Sequence, residues 1–126
     1  MKISTQPNWK AFFTLSLKKS HTSRHITEKE LVDAIGLCQK IQKSGGVPAM
    51  ELTIKMETFI SFEGAIPVAS LHFHNSIEQR LPIEQRKRSI QDLATRLMEL
   101  LDQEKIMIVF PDKSVFLENK VVSKIA

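Results

Sequence analysis

The stretch VASLHFH, Val68 to His74, alternates apolar and polar side chains with a period of two residues. Its apolar positions are Ala69, Leu71 and Phe73, and the positions between them are Val68, Ser70, His72 and His74. Because successive side chains of a strand point to opposite faces, this pattern predicts a strand from Ile66 to His74. One face of that strand is buried under other elements, and the histidine face is open.

The segments around this strand predict the other elements. Trp9–Lys18 alternates in the same way and is a strand, and Met50–Glu57 is a second strand that continues to a turn at Glu63–Gly64. Thr27 and Glu30 form a capping box at the start of a helix whose apolar stripe is Leu31, Ala34, Ile35, Cys38 and Ile41, and Gly45–Gly46 ends it. Pro82–Gln103 is a second helix, with the stripe Ile83, Ile90, Leu93, Ala94, Leu97, Leu100 and Leu101.

The resulting order is β-α-β-β-α-β, followed by a short segment, SVFLE, beyond Pro111. Two helices on one face of an antiparallel sheet are the natural arrangement for this order, with right-handed crossovers. We therefore expect residues 1–126 to form a single α+β domain of the ferredoxin-like type, with a C-terminal hairpin extension. The expected core contains Phe13, Leu15, Leu31, Ile35, Cys38, Leu52, Ile54, Leu71, Phe73, Leu93, Leu97 and Ile108.

The composition is that of a globular chain, with 42% hydrophobic and 25% charged residues. Cys38 is the only cysteine, so no internal disulfide can form, and it falls on the buried stripe of the first helix. No apolar run follows the charge near the N-terminus, and the longest apolar run, Ile106–Phe110, is too short to cross a bilayer. We expect a cytoplasmic protein without membrane contact.

The His-x-His pair of the third strand raises the question of a metal site, since His72 and His74 share a face about 7 Å apart along the backbone. The other two histidines, His21 and His25, follow the first strand and belong at the opposite end of an antiparallel pair. We therefore predict neither a metal site nor another cofactor. The open face is instead expected to form an interface that contains Phe12, Thr14, Val68, His72 and His74.

The loop from Lys18 to Thr27 concentrates positive charge directly before a helix N-terminus. Unpaired backbone N–H groups and the helix dipole favour an anion at such a place. The predicted anion site comprises Lys18, Lys19, Arg24, His25 and Thr27. A second basic run, Arg86–Lys87–Arg88, has no role that the sequence identifies.

Two classes of function are consistent with these features. The first is a small basic interaction module that forms a homodimer through the open face and binds a protein partner or a phosphate-bearing ligand. The second is a small enzyme in which His72 and His74 act as acid and base near neutral pH. Nucleic-acid binding is a further alternative, although the RNP signature is absent and Phe12 is the one aromatic expected on the open face of its strand. We favour the non-enzymatic module.

The basic loop leads to a test. If it binds an anion, sulfate or phosphate should stabilise the fold more than chloride at matched ionic strength, by about 2.7 kcal/mol at a hundredfold excess over Kd. Sulfate also stabilises proteins generally, so the comparison is with Lys19→Ala/Arg24→Ala, measured by chemical denaturation. The double variant should keep only the general effect. An unchanged sulfate response in the double variant would mean that the loop is only a solvated connection.

Overall fold

A computed structural model describes residues 9–18, 24–74 and 81–119. Five strands and two helices follow one another along these residues. Their bounds are β1 Lys10–Ser16, α1 Glu28–Ser44, β2 Leu52–Ser61, β3 Gly64–His74, α2 Ile83–Leu100, β4 Lys105–Val109 and β5 Ser114–Glu118. The predicted order of elements is confirmed.

The strands form one antiparallel sheet in the order β2-β3-β1-β4-β5. The first four strands have the ferredoxin-like arrangement, in which the chain returns across the helices to place β3 beside β1 and β4 on its other side. β5 pairs with β4 from Lys105↔Glu118 to Val109↔Ser114 and adds a fifth strand at the edge. The α+β ferredoxin-like fold and its hairpin extension are therefore confirmed.

The centre of the core is the pairing of β1 with β3. Phe13 lies opposite Leu71, and the rings of Phe13 and Phe73 pack with centroids 5.5 Å apart. All three side chains are fully buried, as are Leu93 and Leu97 of α2. The alternation of the sequence thus places its apolar positions under the helices, and the predicted faces of both strands are correct.

α1 begins and ends where its capping residues predict. The Thr27 hydroxyl accepts a hydrogen bond from the Glu30 backbone N–H at 3.1 Å, and the helix ends before Gly45 and Gly46, the latter with φ of 78°. Its buried stripe differs from the prediction at one turn, because Ile41 is 42% exposed and Gln42 is fully buried.

Gln42 faces α2 and is hydrogen-bonded there. Its Nε2 donates to the Ser89 carbonyl at 2.9 Å and to Asp92 Oδ2 at 3.1 Å. The two hydrogen bonds of Nε2 offset part of the cost of burying this amide, whose Oε1 is buried without a hydrogen-bond partner in the described part of the chain. Hydropathy alone does not reveal such contacts. The predicted stripe of α2 is buried at Ile90, Leu93, Ala94 and Leu97, whereas Ile83 and Leu100 at its two ends are about half exposed. Ser89 and Met98 are buried in addition.

β2 is the least covered strand, since it lies at the edge of the sheet. Leu52 and Ile54, which the sequence assigns to the core, pack against it but are only partly buried. β2 and β3 continue past the helices to a tight turn at Phe62 and Glu63, where Gly64 has φ of 128°, a value that favours glycine. In the described part of the chain, neither helix is long and apolar enough to span a membrane.

The burial of β3 leads to a stability prediction. Leu71→Ala should lower the free energy of unfolding by about 2–5 kcal/mol, because it removes a fully buried side chain and leaves a cavity. Leu37→Ala makes the same chemical change at a site that is 50% exposed on α1, and should cost less than half as much. Equal losses in urea denaturation would contradict the assignment of the buried face.

Candidate functional site: a basic pocket on the open sheet face

The face of the sheet away from the helices carries the alternate residues of every strand. We call it the open sheet face, and the register assigns to it both residues of every second cross-strand pair. On β1, β3 and β2 these residues form the rows Lys10–His74, Phe12–His72–Thr53, Thr14–Ser70–Lys55 and Ser16–Val68–Glu57. Polar and titratable groups dominate this half of the face.

The five residues predicted as an interface all lie on this face. Phe12, Val68 and His72 are half-buried, whereas Thr14 and His74 are exposed. The structure therefore brings them together as the alternation implied. Whether a second copy covers them stays a prediction.

The two histidines are held by different neighbours. The imidazole of His72 stacks on the ring of Phe12, with centroids 5.3 Å apart and an angle of 21° between the rings. His74 Nε2 and Thr53 Oγ1 share a hydrogen bond of 3.2 Å. Contacts on neighbouring strands thus orient both imidazoles, which suits them to a binding or proton-transfer role.

A pocket of about 230 Å³ opens beside His72. Its lining residues are Lys10, Ala11, Thr53, Lys55, His72, Phe73 and His74. The only titratable groups in this lining are two lysines and two histidines, and none of the described lining residues is a carboxylate. The pocket is therefore electropositive and suited to an anionic group.

The pKa of His72 reflects this setting. Burial lowers the pKa of its imidazole below the ordinary value, and the positive charge of Lys55 lowers it further, against the opposing effect of Glu57. His72 is consequently neutral near pH 7, when it can accept a proton or a hydrogen bond, while the two lysines carry the positive charge.

The predicted anion site at the start of α1 is only partly described. Lys19 and His21 lie outside the described residues. Lys18 and His25 face each other in an antiparallel bridge, and Arg24, His25 and Thr27 are exposed. The first turn of the helix carries Glu28 and Glu30, whose charges already complement the helix dipole. Anion binding at this loop stays a prediction.

The histidines do not assemble into a metal site in the described chain. His74 pairs with Lys10 and His25 with Lys18, so these histidines lie at opposite ends of the first strand, about 26 Å apart at roughly 3.3 Å per residue. Among the described residues, no group of three or more His, Cys, Asp or Glu side chains is placed to hold a metal ion. Cys38 is buried, and burial raises the pKa of its thiol, which disfavours the reactive thiolate.

The basic run at the start of α2 is engaged within the protein. Arg86 donates through Nε to the Leu81 carbonyl at 2.6 Å, and its guanidinium lies 5.2 Å from the ring centre of Trp9. Lys87 forms a 2.7 Å ion pair with Asp112, and this hydrogen bond lowers the pKa of the Asp112 carboxyl. Two of the three cations thus connect the start of α2 to residues that flank β1 and β4.

Sequence reasoning missed Thr53 and Lys55 as site residues. Both belong to β2 and reach the pocket because β2 pairs with β3 in the register Thr53↔His72 and Lys55↔Ser70. The alternation of β2 predicts which of its faces they occupy, but the register across two strands is a tertiary property.

Comparison with known proteins bears on the fold. No protein-family model matches this chain, and no curated protein matches its sequence. The similar solved structures include phage SAM lyase in complex with S-methyl-5'-thioadenosine, with a TM-score of 0.62, and phage SAM lyase in its apo state, with a TM-score of 0.65. Each has 14% sequence identity, over 95% of this chain and 96% of the other. The shared fold extends over nearly the whole of both chains, and it is one that a small enzyme uses.

The electrostatics of the pocket can be tested by titration. We expect the His72 imidazole to titrate below about 6.5 in NMR spectra, and Lys55→Gln to raise its pKa because one positive charge is removed. Lys29→Gln, on the exposed face of α1, is the matched control and should leave it unchanged.

The same shift affects stability. A folded-state pKa below the unfolded value means that the unfolded chain binds the proton more tightly, so the free energy of unfolding should fall as the pH drops below about 6.5. This fall should be smaller in His72→Gln. A titration midpoint at or above the ordinary histidine value would contradict both statements.

Proposed function

We propose that this protein is a small binding module whose ligand site is the basic pocket on the open sheet face. The observation that carries the proposal is the convergence of Lys10 and Lys55 on His72 and His74, with no carboxylate among the described lining residues. Ordinary protein surfaces mix charges of both signs, so a pocket whose charged lining residues are all cations favours an anionic ligand.

The size and surroundings of the pocket narrow the ligand class. At about 230 Å³ it is smaller than the roughly 300–1,000 Å³ typical of sites that enclose a whole drug-sized molecule. It suits one phosphate or carboxylate group, with the remainder of the ligand lying on the sheet. The exposed part of the Phe12–His72 stack offers a surface for a planar ring. A phosphate-bearing ligand with a ring, such as a mononucleotide, fits both features.

The similar structures support testing nucleosides. The phage SAM lyase is described in complex with S-methyl-5'-thioadenosine, a purine nucleoside. Lys10 and Lys55 would repel the sulfonium of S-adenosylmethionine, whereas they would attract the phosphate of a nucleotide. The charge of this pocket therefore favours a nucleotide over the ligand class of the similar enzyme.

A second candidate function is a small enzyme with His72 and His74 in acid–base roles. The lowered pKa of His72 favours it, because a neutral imidazole beside two cations can accept a proton. Homodimerisation through the open face, the helix-associated anion site and RNA binding remain alternatives for the same small module. A cytoplasmic location is likewise an expectation from the sequence.

Calorimetric titration tests the proposal with inorganic phosphate, adenosine monophosphate, S-methyl-5'-thioadenosine and S-adenosylmethionine. Adenosine monophosphate should bind best, and its affinity should fall with added salt. Lys10→Gln/Lys55→Gln should weaken it more than about tenfold, since one charge-assisted hydrogen bond contributes about 1.5–3 kcal/mol. Lys29→Gln is the control for lost surface charge.

The outcome separates the candidates. Preferred binding of S-adenosylmethionine, or an affinity that the double variant leaves unchanged, would contradict the nucleotide proposal. Conversion of any of these compounds, detected by mass spectrometry and lost in His72→Gln, would favour the enzyme.

A further inference from the structure

The outer edge of β2 is long and unpaired within the described part of the chain. β2 has ten residues and is the outermost strand on its side of the sheet. The Pro67 carbonyl accepts a hydrogen bond from the Leu17 N–H at 2.9 Å, so the backbone polar groups of Pro67 point toward β1 and away from β2. Thr58 lies opposite Pro67, and the two therefore form a pair without mutual hydrogen bonds. The N–H and C=O groups of Thr58, and of every second residue from it, therefore point away from β3, toward the free edge of the sheet.

Apart from the charges of Lys55 and Glu57, this edge lacks the features that usually prevent strand pairing. Natural edge strands are kept short, bulged, or interrupted by proline or inward-pointing charges. β2 is continuous in its pairing with β3 and contains no proline. Several of its large apolar side chains, and one in the adjoining turn, face solvent: Met56 at 43% exposed, Phe59 at 55%, Ile60 at 80% and Phe62 fully. Such a surface is suited to a partner strand.

The sequence of β2 is complementary to itself in one antiparallel register. Residues with outward backbone groups must lie opposite each other, so the two strands can slide past each other only in steps of two residues. Each such step moves the twofold axis by one residue along β2. Centring the pair on Lys55 sets lysine against lysine, and centring it on Glu57 sets glutamate against glutamate. Centring it on Met56 places Lys55 opposite Glu57 of the partner subunit, twice. Opposite charges directly across strands stabilise a pair, and like charges destabilise it.

We propose that β2 pairs with β2 of a second copy about a twofold axis at Met56, which joins two five-stranded sheets into one of ten strands. The register sets Ile60 opposite Leu52 of the partner subunit and Phe62 level with Met50 of the partner subunit. These pairs lie on the helix side of the sheet, where β2 carries its apolar positions.

A groove on the helix side of β2 is open to receive them. It has a volume of about 730 Å³ and lies between α1 and the β2 edge, with Val32, Gly36, Met50, Leu52 and Ile54 among its lining residues. No heavy atom lies within 4 Å of the place where Gly36 would carry a Cβ, so the groove has room beside the helix. The exposed Ile60 and Phe62 of one copy are thus matched by the apolar part of this groove in the other, whose rim also carries Gln39, Lys43 and Glu51. The arrangement is reciprocal, as a twofold interface requires.

The same pairing would alter the basic pocket. Phe59 of the partner subunit falls opposite Thr53, which lines the pocket next to His72. The second copy would therefore add an aromatic ring to the rim of the ligand site. The pairing itself stands on the β2 edge and groove alone and does not require the proposed ligand.

Sedimentation velocity with charge-swap variants tests the register. Wild-type protein should be a dimer at high micromolar concentration. Lys55→Glu and Glu57→Lys should each weaken the dimer by about tenfold or more, since each creates two like-charge pairs, and Lys55→Glu/Glu57→Lys should restore it. Circular dichroism and thermal melting establish that each variant is folded.

Two further variants distinguish a dimer formed through the β2 edge from one formed through the open sheet face. Ile60→Lys should give a folded monomer, because it puts a charge into the partner's groove. Phe116→Lys changes a side chain that is 74% exposed at the far edge, on β5, and should leave the dimer intact. A monomeric wild type, a double variant no tighter than the single ones, or loss of the dimer in Phe116→Lys but not in Ile60→Lys would overturn the proposal. None of these outcomes affects nucleotide binding by the monomer, which is measured separately.

Discussion

The antiparallel pairing of β1 with β3 is the constraint on which the rest of this structure depends. It runs without interruption from Lys10↔His74 to Ser16↔Val68 and carries the fully buried centre of the core. A slip of one residue would turn Leu71 and Phe73 toward the open face and bring polar neighbours under the helices. The register that fixes the core therefore also fixes the side chains of the open sheet face, so the pocket follows directly from the packing.

The edge position of β2 explains the features that fall outside this core. The helices cover one face of β1 and of the second half of β3, whereas β2 is covered only in part. Its open-face residues Thr53 and Lys55 complete the basic pocket, and its helix-side residues form the floor of the groove. One strand thus contributes to both candidate surfaces, because it is held by β3 along one edge and left accessible along the other.

Polar contacts of two buried glutamines connect α1 to α2 and the end of β1 to the segment after α2. Gln42 joins the two helices through Ser89 and Asp92, and Ser89 donates to the Pro48 carbonyl at 2.5 Å. Gln103 closes the end of β1 in a similar way, since its side-chain amide exchanges hydrogen bonds of 2.9 Å with the backbone of Ser16. Buried amides with such partners specify the packing of neighbouring elements more narrowly than apolar contacts do.

The sequence by itself determined the elements, their order and the face that each strand buries, because these depend on local periodicity and capping: the alternation through Phe13 and Leu71 and the Thr27 cap predicted them. The tertiary structure alone decided the strand register, which brings Lys55 of β2 beside His72. It also decided the partial exposure of Leu52 and the burial of Gln42, since both depend on what neighbouring elements cover. Periodicity predicts the face on which a side chain lies, whereas its burial depends on which neighbouring elements cover that face.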